Sequence, residues 1–325
     1  MLQFLLDHIS TVDFILLNVA LGLSIYLTLA VGLLSLANAG FLAIGAYTAA
    51  ILTVQAGWPP VAALLPALLL GALVAAPLGL LVLRLQGVYL AIATIGFGEI
   101  VRIVALNGDK LLRLVSGDSR LTVFRGAEGI TLPYRSPVLF LGLPVTTWQL
   151  LVYVVALAYL LAMLQRSRYG RLMAAIRLDG LAASTLGVDI VRYRLLAFLL
   201  GAAIAAGAGA LSAPVVRVID PSQYGFNRAV DILAYAVLGG MTTWVGPIVG
   251  ATVLTALPEV LRPLQEQREV VNGLLLLLSI IYLPRGLADS RLWGGWRHWP
   301  TALRERFAGG PAAEPLPVPP RRGPG

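Results

Sequence analysis

The sequence contains no cysteine and only two histidines, His8 and His298. Disulfide bonds, thiolate catalysis and thiolate metal sites are therefore excluded. The two imidazoles lie outside the apolar segments and far apart in the sequence, so a buried metal site or a histidine-dependent catalytic site is not expected. We accordingly predict no metal and no cofactor.

Charged residues are also scarce. They make up 12% of the 325 residues, whereas 58% are hydrophobic, and soluble proteins usually carry about 25% charged residues. This composition places the chain in a lipid bilayer. The formal net charge of +8 could indicate nucleic-acid binding, but that function needs a basic face on a folded soluble domain. Here most of the arginines lie in loops and in the C-terminal tail, so we predict no nucleic-acid partner.

The motifs of nucleotide-binding and hydrolytic proteins are missing as well. Lys110 is the only lysine and is followed by Leu111, so the sequence has no phosphate-binding G-x-x-x-x-G-K-[ST] loop. It also has no G-x-S-x-G and no H-E-x-x-H motif. We therefore do not predict an enzyme, and any work driven by ATP would have to come from a partner.

Apolar segments of membrane length run through most of the chain. A bilayer core about 30 Å thick requires about 20 apolar residues per helix. On this measure the sequence predicts helices near residues 14–36, 38–55, 61–83, 87–106, 148–165, 195–213, 228–241, 247–261 and 270–284. We expect an all-α polytopic integral membrane protein with about nine transmembrane helices, within a range of about eight to ten.

Small residues and breaks punctuate these segments. Gly201, Ala205, Gly209 and Ala213 recur at every fourth position, which places them on one stripe of a helix where another backbone can approach closely. The stretch G-G-M-T-T-W-V-G-P at 239–247 interrupts an apolar region. Broken helices at membrane depth occur where protein or a water-filled cavity covers the freed backbone. This favours a transporter over a simple anchor.

The stretch 165–195 is polar and basic between two apolar segments. It holds six arginines against Asp179 and Asp189, and short loops rich in arginine are retained in the cytoplasm during membrane insertion. Good helix formers around Gly180 and Gly187 predict one or two short surface helices. We interpret this stretch as a cytoplasmic docking loop.

This orientation divides the chain into regions. Residues 1–287 form the predicted transmembrane domain, with an extracytoplasmic loop at 107–147. Residues 288–325 form a cytoplasmic, basic, proline-rich tail without a core pattern, for which we predict disorder. With an odd number of spans, the N-terminus lies on the extracytoplasmic side.

Pairs of opposite charges occur within the apolar segments at a spacing of three residues, which places both partners on one helix face. The pairs are Glu99 with Arg102, Arg228 with Asp231, and Glu259 with Arg262. Two interpretations stand: the pairs neutralise themselves near helix ends, or Glu99 or Asp231 faces a translocation path. Acids in series and histidines within the apolar segments are absent, which argues against a proton relay.

Five blocks of sequence follow one another between residues 34 and 287. They are L-S-L-A-N-A-G-F-L-A-I-G-A-Y at 34–47, G-V-Y-L-A-I-A-T-I-G-F-G-E-I-V-R at 87–102, R-Y-G-R-L-M-A-A-I-R-L-D-G-L-A-A-S-T-L-G-V at 168–188, V-L-G-G-M-T-T-W-V-G-P-I-V-G-A at 237–251 and L-P-R-G-L at 283–287. In this order they resemble LivM-type permeases of branched-chain amino acid ABC importers. The resemblance covers nearly the whole membrane part.

The resemblance implies an ABC-importer permease fold without catalytic residues, located in the cell (inner) membrane of a bacterium or archaeon. It also implies a second, LivH-like permease subunit, two cytoplasmic ATP-binding subunits and an extracytoplasmic substrate-binding protein. The expected function is ATP-driven import of branched-chain or related amino acids. Urea, amides and other small polar solutes are alternative substrates, and a stand-alone secondary transporter or channel is the alternative from another class.

The resemblance also assigns residues to coupling. Ala182-Ala183-x-x-x-Gly187 fits the E-A-A-x-x-x-G pattern that ABC importer permeases present to their ATPases, with Leu181 in place of the glutamate. A short helix with small residues can seat in a groove on a partner while flanking arginines fix its orientation. The predicted ATPase-coupling residues are Arg168, Gly170, Arg171, Arg177, Asp179, Ala182, Ala183 and Gly187.

The candidate translocation path comprises four residues, Asn38, Gly40, Glu99 and Asp231. The outer loop departs from the family, because residues 121–130 match its L-T-G-G-x-x-G-[LI] element only loosely. The resemblance therefore predicts the fold and the coupling more closely than the substrate.

Overall fold

A computed structural model describes residues 9–85, 87–116, 123–132, 139–140 and 143–260, all within one compact unit, Met1–Ala288. The helices are α1 (Ile9–Ala30), α2 (Asn38–Gln55), α3 (Leu64–Val82), α4 (Val88–Ser116), α5 (Val145–Arg166), α6 (Arg168–Leu178), α7 (Gly180–Thr185), α8 (Ile190–Val216), α9 (Phe226–Gly239) and α10 (Val245–Val260). Short 3₁₀ helices lie at Gly126–Glu128 and Pro221–Tyr224.

Within the described residues, six helices are long and apolar enough to cross a membrane. They are Ile9–Ala30, Asn38–Gln55, Leu64–Val82, Val88–Lys110, Val145–Arg166 and Ile190–Val216. α9 and α10 have 14 and 16 residues and are shorter than the roughly 20 residues that a bilayer core requires. The chain is an all-α multi-pass membrane protein, as the sequence predicts. The predicted helix at 270–284 lies outside the described residues, so the count of about nine stays a prediction.

The first helix lies closer to the N-terminus than its predicted range of 14–36. α1 ends early because Gly32 has a φ of +79°, a left-handed conformation that favours glycine. The amide of Gly32 donates to the carbonyl of Leu29, and the amide of Leu33 donates to that of Thr28, at 3.0 and 2.9 Å. These hydrogen bonds close the helix end.

The fourth helix is longer than the predicted 87–106 and continues to Ser116. Its last turns carry Lys110 and Arg113, whose charges suggested a loop. Charged residues are compatible with a helix that projects beyond the apolar core. The first residues of the predicted outer loop 107–147 are therefore helical.

α8 lies at the centre of the bundle and consists mostly of small residues around its middle. It packs against α1, α2 and α3, and its glycines and alanines let their backbones approach closely. A Cβ at Gly45 of α2 would overlap the carbonyl oxygen of Ala206, and one at Gly209 would overlap that of Leu42. The small-residue stripe predicted at 201–213 is buried and forms this helix packing.

α9 and α10 form a tight helical hairpin around the glycines of the interrupted stretch. A Cβ at Gly239 would overlap the carbonyl oxygen of Gly246, and one at Gly250 would overlap that of Tyr235. The predicted break is thus the turn between two short helices that pack through their backbones. The hairpin also packs against α1.

Two short antiparallel strand pairs complete the described fold. The strands are β1 (Ile130–Thr131), β2 (Leu139–Phe140), β3 (Leu143–Pro144) and β4 (Val218–Ile219). β1 pairs with β4, with Ile130 opposite Ile219, and β2 pairs with β3. The β1–β4 pair joins the loop region before α5 to the segment between α8 and α9.

Candidate functional site

The loop at 165–195, which we call the docking segment, folds into the two short helices α6 and α7. A side chain caps the start of each helix. The hydroxyl of Ser167 accepts a hydrogen bond from the amide of Gly170 at 3.3 Å, and the carboxylate of Asp179 accepts one from the amide of Ala182 at 3.0 Å. Such caps satisfy backbone amides that have no partner within the helix. The expectation of one or two surface helices is confirmed, and Asp179 caps the second of them.

Two glycines make the turns of the docking segment possible. Gly187 has a φ of +81°, and its amide and the next one donate to the carbonyls of Ser184 and Ala183 at 3.0 and 3.2 Å. This arrangement ends a helix on a left-handed residue. A Cβ at Gly187 would meet open space, whereas one at Gly170 would overlap the carbonyl oxygen of Leu164. Glycine is therefore required at 187 by its backbone conformation and at 170 by close packing.

The inner face of the docking segment packs on the ends of the membrane helices. The buried residues of this small core are Val31, Met173, Ile176, Ala183 and Ala197. Ala183 is only 4% exposed, although the sequence predicted that it would face an ATPase. Ala182 is exposed, because neighbouring residues on a helix point about 100° apart. Ala183 therefore packs in the small core beneath the segment, and its part in coupling stays a prediction.

The outer face of the docking segment combines polar residues with three very exposed leucines. Leu178, Leu181 and Leu186 are 88%, 82% and 84% exposed, and they lie outside the helices that could span a membrane. The exposed members of the predicted coupling set are Arg168, Arg171, Arg177, Asp179, Ala182 and Gly187. These leucines lie within nine positions of one another in the sequence, so the outer face is a candidate docking surface.

Polar contacts join the docking segment to the turn between α9 and α10. The Nη1 of Arg177 donates to the carbonyl of Met241 at 2.7 Å, and the Nε2 of Gln165 donates to that of Thr242 at 3.5 Å. A cavity of about 320 Å³, lined in part by Tyr26 of α1, lies beside these contacts. The docking segment therefore contacts the helical hairpin directly.

A second group of polar residues lies near the C-terminal end of α8. The Nη2 of Arg228 in α9 donates to the Oδ1 of Asn18 in α1 at 2.8 Å, and the Nδ2 of Asn18 donates to the Oγ1 of Thr255 in α10 at 2.9 Å. These residues line a cavity of about 390 Å³ together with Asp231 and Tyr224. We call it the Arg228 cavity. Burial raises the pKa of the Tyr224 phenol above its ordinary value, so this side chain stays neutral.

Glu99 and Arg102 form the expected ion pair at a neighbouring cavity. The Nε of Arg102 donates to both carboxylate oxygens of Glu99, at 2.9 and 3.0 Å. This cavity of about 460 Å³, which we call the Glu99 cavity, is also lined by Arg228 and Asp231. The structure thus brings Glu99 and Asp231, two residues of the predicted path, to one cavity.

Asn38 and Gly40, the other two predicted path residues, lie within the helix packing. Asn38 is 3% exposed, and its Nδ2 donates to the Oγ of Ser24 at 2.7 Å. Gly40 packs against Phe97 of α4. Neither residue lines the Arg228 or the Glu99 cavity, so the structure assigns them to the contacts of α2 with α1 and α4.

Asn18 and Thr255 are functional candidates that the sequence analysis missed. Each is a polar residue within an apolar helix, and polar side chains within membrane segments often mark helix contacts or pathways. That signal could have found both. The side chains of the third predicted pair, Glu259 and Arg262, lie outside the described residues.

Membrane-length helices with polar cavities between them define a multi-pass membrane protein. The family described as "Branched-chain amino acid transport system / permease component" matches residues 6–283. Proteins named high-affinity branched-chain amino acid transport system permease protein LivM, from Salmonella typhimurium and Escherichia coli, are each 34% identical over 86% of this chain and 69% of their own length. The LivH permease protein of Escherichia coli is 34% identical over 44% of this chain and 48% of its own length. No solved structure matches the chain.

The chain belongs to the family of permease components of branched-chain amino acid transport systems. It is a permease subunit of an ABC importer, as the sequence predicts. The family and these relatives are transport permeases rather than enzymes.

Proposed function

We propose that this permease carries branched-chain or closely related amino acids into the cell. The LivM relatives are named for high-affinity branched-chain amino acid transport, and their identity extends over 86% of this chain. We further propose that it works with a second, LivH-like permease subunit, two cytoplasmic ATP-binding subunits and an extracytoplasmic substrate-binding protein. Their site of assembly is the cell (inner) membrane of a bacterium or archaeon.

The exposed leucines of the docking segment carry the proposal of a cytoplasmic ATP-binding partner. Burying one leucine side chain contributes about 1.5–3 kcal/mol, so Leu178, Leu181 and Leu186 can supply much of the free energy of docking in a groove. Arg168 and Arg171 are also exposed on the segment, and charged groups fix the orientation of a partner. The helix caps and the inner core hold this face in one conformation, which lowers the entropic cost of binding.

The proposed orientation places the docking segment in the cytoplasm, because short arginine-rich loops are retained there. Gly32, just after α1, lies against Arg177 of the segment. This contact supports a course for α1 that begins on the opposite side, with the N-terminus extracytoplasmic. We place the C-terminus in the cytoplasm with the basic tail 288–325, and the loop 107–147 on the side of the binding protein.

The contacts of the hairpin suggest how ATP-driven motion reaches the transport path. In the proposed cycle the docking segment moves with the ATP-binding subunit and displaces the α9–α10 turn through the contact of Arg177 with Met241. The hairpin carries Arg228 and Thr255 at the Arg228 cavity. Its displacement would therefore change access to the cavities at which Glu99 and Asp231 lie.

Purification and reconstitution test this function in two steps. The tagged chain is first isolated from its native membrane in mild detergent, and we expect a second permease and an ATP-binding subunit with a G-x-x-x-x-G-K-[ST] motif to co-purify. The complex is then placed in liposomes, where uptake of labelled leucine, isoleucine or valine should require both ATP and the binding protein.

Two results would contradict the proposal in different ways. Uptake by the chain alone, without ATP, would identify a secondary transporter or channel. Uptake of urea or amides that depends on ATP, without uptake of leucine, isoleucine or valine, would assign the alternative substrates.

A further inference from the structure

We propose that the Arg228 cavity is a binding site within the permease for the zwitterionic head group of an aliphatic α-amino acid. Arg228 binds the carboxylate, Asp231 binds the ammonium group, and the apolar wall of the cavity receives the side chain. This inference rests on the proposed function, from which it takes the general class of substrate. It adds a site where that substrate binds during passage.

A neutral partner holds the guanidinium of Arg228 in place. Its Nη2 donates to Asn18 at 2.8 Å, and Asn18 is itself fixed by its hydrogen bond to Thr255. An arginine side chain presents five N–H donors in a planar fork, and this fork binds carboxylates through two parallel hydrogen bonds. The amide of Asn18 thus orients the guanidinium through one Nη atom without adding negative charge of its own.

Asp231 supplies the opposite charge at a suitable spacing. It follows Arg228 by three residues on α9, and side chains at this spacing are neighbours on one helix face, with Cβ atoms about 5–6 Å apart. Both residues line the Arg228 cavity and the Glu99 cavity. The two charged groups of an α-amino acid are attached to one carbon, so a close pair of opposite charges matches them. A carboxylate has several acceptor positions, so Asp231 can bind an ammonium group in addition to its contacts within the protein.

The charges at the Glu99 cavity favour a zwitterion over an ion. Its charged lining residues are Glu99, Arg102, Arg228 and Asp231, which sum to zero. An anion or a cation would add a charge without a partner to this set, and burying an unpaired charge is costly. A zwitterion adds one charge of each sign and leaves the sum unchanged.

The remaining wall of the Arg228 cavity selects the kind of side chain. Its apolar lining includes Phe14, Leu17, Leu42, Val216 and Leu254. The volume of about 390 Å³ lies toward the small end of the roughly 300–1,000 Å³ that is typical of small-molecule sites. An aliphatic side chain gains burial against this wall, whereas a charged side chain would lose hydration there.

Direct binding to the permease tests the site. The complete complex of permeases and ATP-binding subunits is purified without the binding protein, and binding of labelled L-leucine is measured at equilibrium. Leucinamide, which lacks the carboxylate, and 4-methylpentanoate, which lacks the ammonium group, serve as competitors. We expect saturable binding of leucine and weaker competition by both analogues than by unlabelled leucine.

Variants then assign each end of the head group. Arg228→Gln should weaken leucine binding by about tenfold or more, since hydrogen bonds to charged groups contribute this much, while leucinamide binding should change little. Asp231→Asn should weaken leucine binding and leave 4-methylpentanoate binding nearly unchanged. Arg113→Gln removes the same charge from an exposed position on α4 outside both cavities and should bind leucine as the unaltered complex does. Co-purification of the ATP-binding subunits checks that each variant is folded.

The outcomes separate the site from the proposed function. If the complex with its binding protein imports leucine, but the unaltered complex shows no saturable leucine binding or Arg228→Gln has no effect, the site is wrong and the function stands. If the complex imports none of the three branched-chain amino acids, the proposed substrate is wrong and the site falls with it. Equal losses of leucine and leucinamide binding in Arg228→Gln would show a structural role for Arg228 and overturn the proposal.

Discussion

Arg177 of the docking segment donates a hydrogen bond to the backbone carbonyl of Met241, 2.7 Å away, in the turn between α9 and α10. The two residues are far apart in the sequence, and they belong to the two parts of the chain with the clearest functional features. The acceptor is a backbone atom, so the contact depends on the position of the turn and not on the identity of its side chain. In the proposed cycle this contact is the direct mechanical connection between docking and transport.

Arg177→Met should therefore uncouple transport from ATP hydrolysis. Methionine keeps an apolar stem of similar length but cannot donate to Met241, so the hairpin no longer follows the docking segment. ATP hydrolysis should persist while uptake per ATP falls, and phosphate release and leucine uptake measured in the same proteoliposomes would show it. Arg168→Met, at another exposed arginine of the segment, is the matched control. Equal uncoupling in both variants would point to lost charge instead of the lost contact.

Removing the exposed leucines should release the ATP-binding subunit. Leu178→Ser and Leu186→Ser should each weaken association by about tenfold or more, because each removes roughly 1.5–3 kcal/mol of apolar burial. The thermal stability of the isolated permease should stay nearly constant, since both leucines are exposed. Co-purification over a dilution series measures the effect, with Ser184→Ala as an exposed control. Unchanged association in the double leucine variant would mean that docking uses another surface.

Ala182 and Ala183 should differ in how strongly the same substitution destabilises the docking segment. Ala183→Leu overfills the small core under the docking segment and should destabilise it by about 1–3 kcal/mol, seen as faster amide hydrogen exchange in α6 and α7. Ala182→Leu lies on the exposed side and should leave exchange nearly unchanged, within about 0.5 kcal/mol. Equal exchange in the two variants would contradict the burial of Ala183.

Breaking the Glu99–Arg102 pair should reduce the amount of folded protein. Glu99→Ala leaves Arg102 without its carboxylate partner on a helix of membrane length, where an unpaired charge is costly. The double variant should therefore recover part of the yield, as measured by size-exclusion chromatography of the solubilised protein. Asp189 and Arg192 form an ion pair of the same spacing on the exposed docking segment, and the corresponding variants should change stability by about 1 kcal/mol or less. A folded Glu99→Ala variant with altered substrate preference would instead support a direct role for Glu99 in the path.

Local features of the docking segment and of α4 could be predicted because their causes are close in sequence. Glycine positions and helix formers indicate short helices, and a spacing of three residues predicts the contact of Glu99 with Arg102. The burial of Ala183 could not be predicted this way. α7 has only six residues, too few for the sequence pattern to show which face is buried, and the membrane helices on which it packs decide the matter.

Contacts between residues far apart in the chain could likewise not be predicted from the sequence. Arg228 pairs with Asn18 across 210 positions, and a single sequence does not show which of several polar residues will meet. The pattern predicted a charge contact of Arg228 within its own helix, whereas the structure adds a neutral partner on α1. The end of α4 was missed for a different reason, because hydropathy reports where the bilayer stops and not where the helix does.

The β1–β4 pair attaches the N-terminal end of α9, opposite the end at which Arg177 contacts the turn to α10. β4 leads through a short 3₁₀ helix into α9, and its partner β1 belongs to the loop region before α5. Thermodynamic coupling between two binding sites is reciprocal. If binding at one end of α9 changes the affinity at the other end by some factor, binding at the other end changes the affinity at the first by the same factor. If the proposed ATP-binding subunit and substrate-binding protein act through these attachments, each strengthens binding of the other by the same free energy. That free energy can be measured from either face of the membrane.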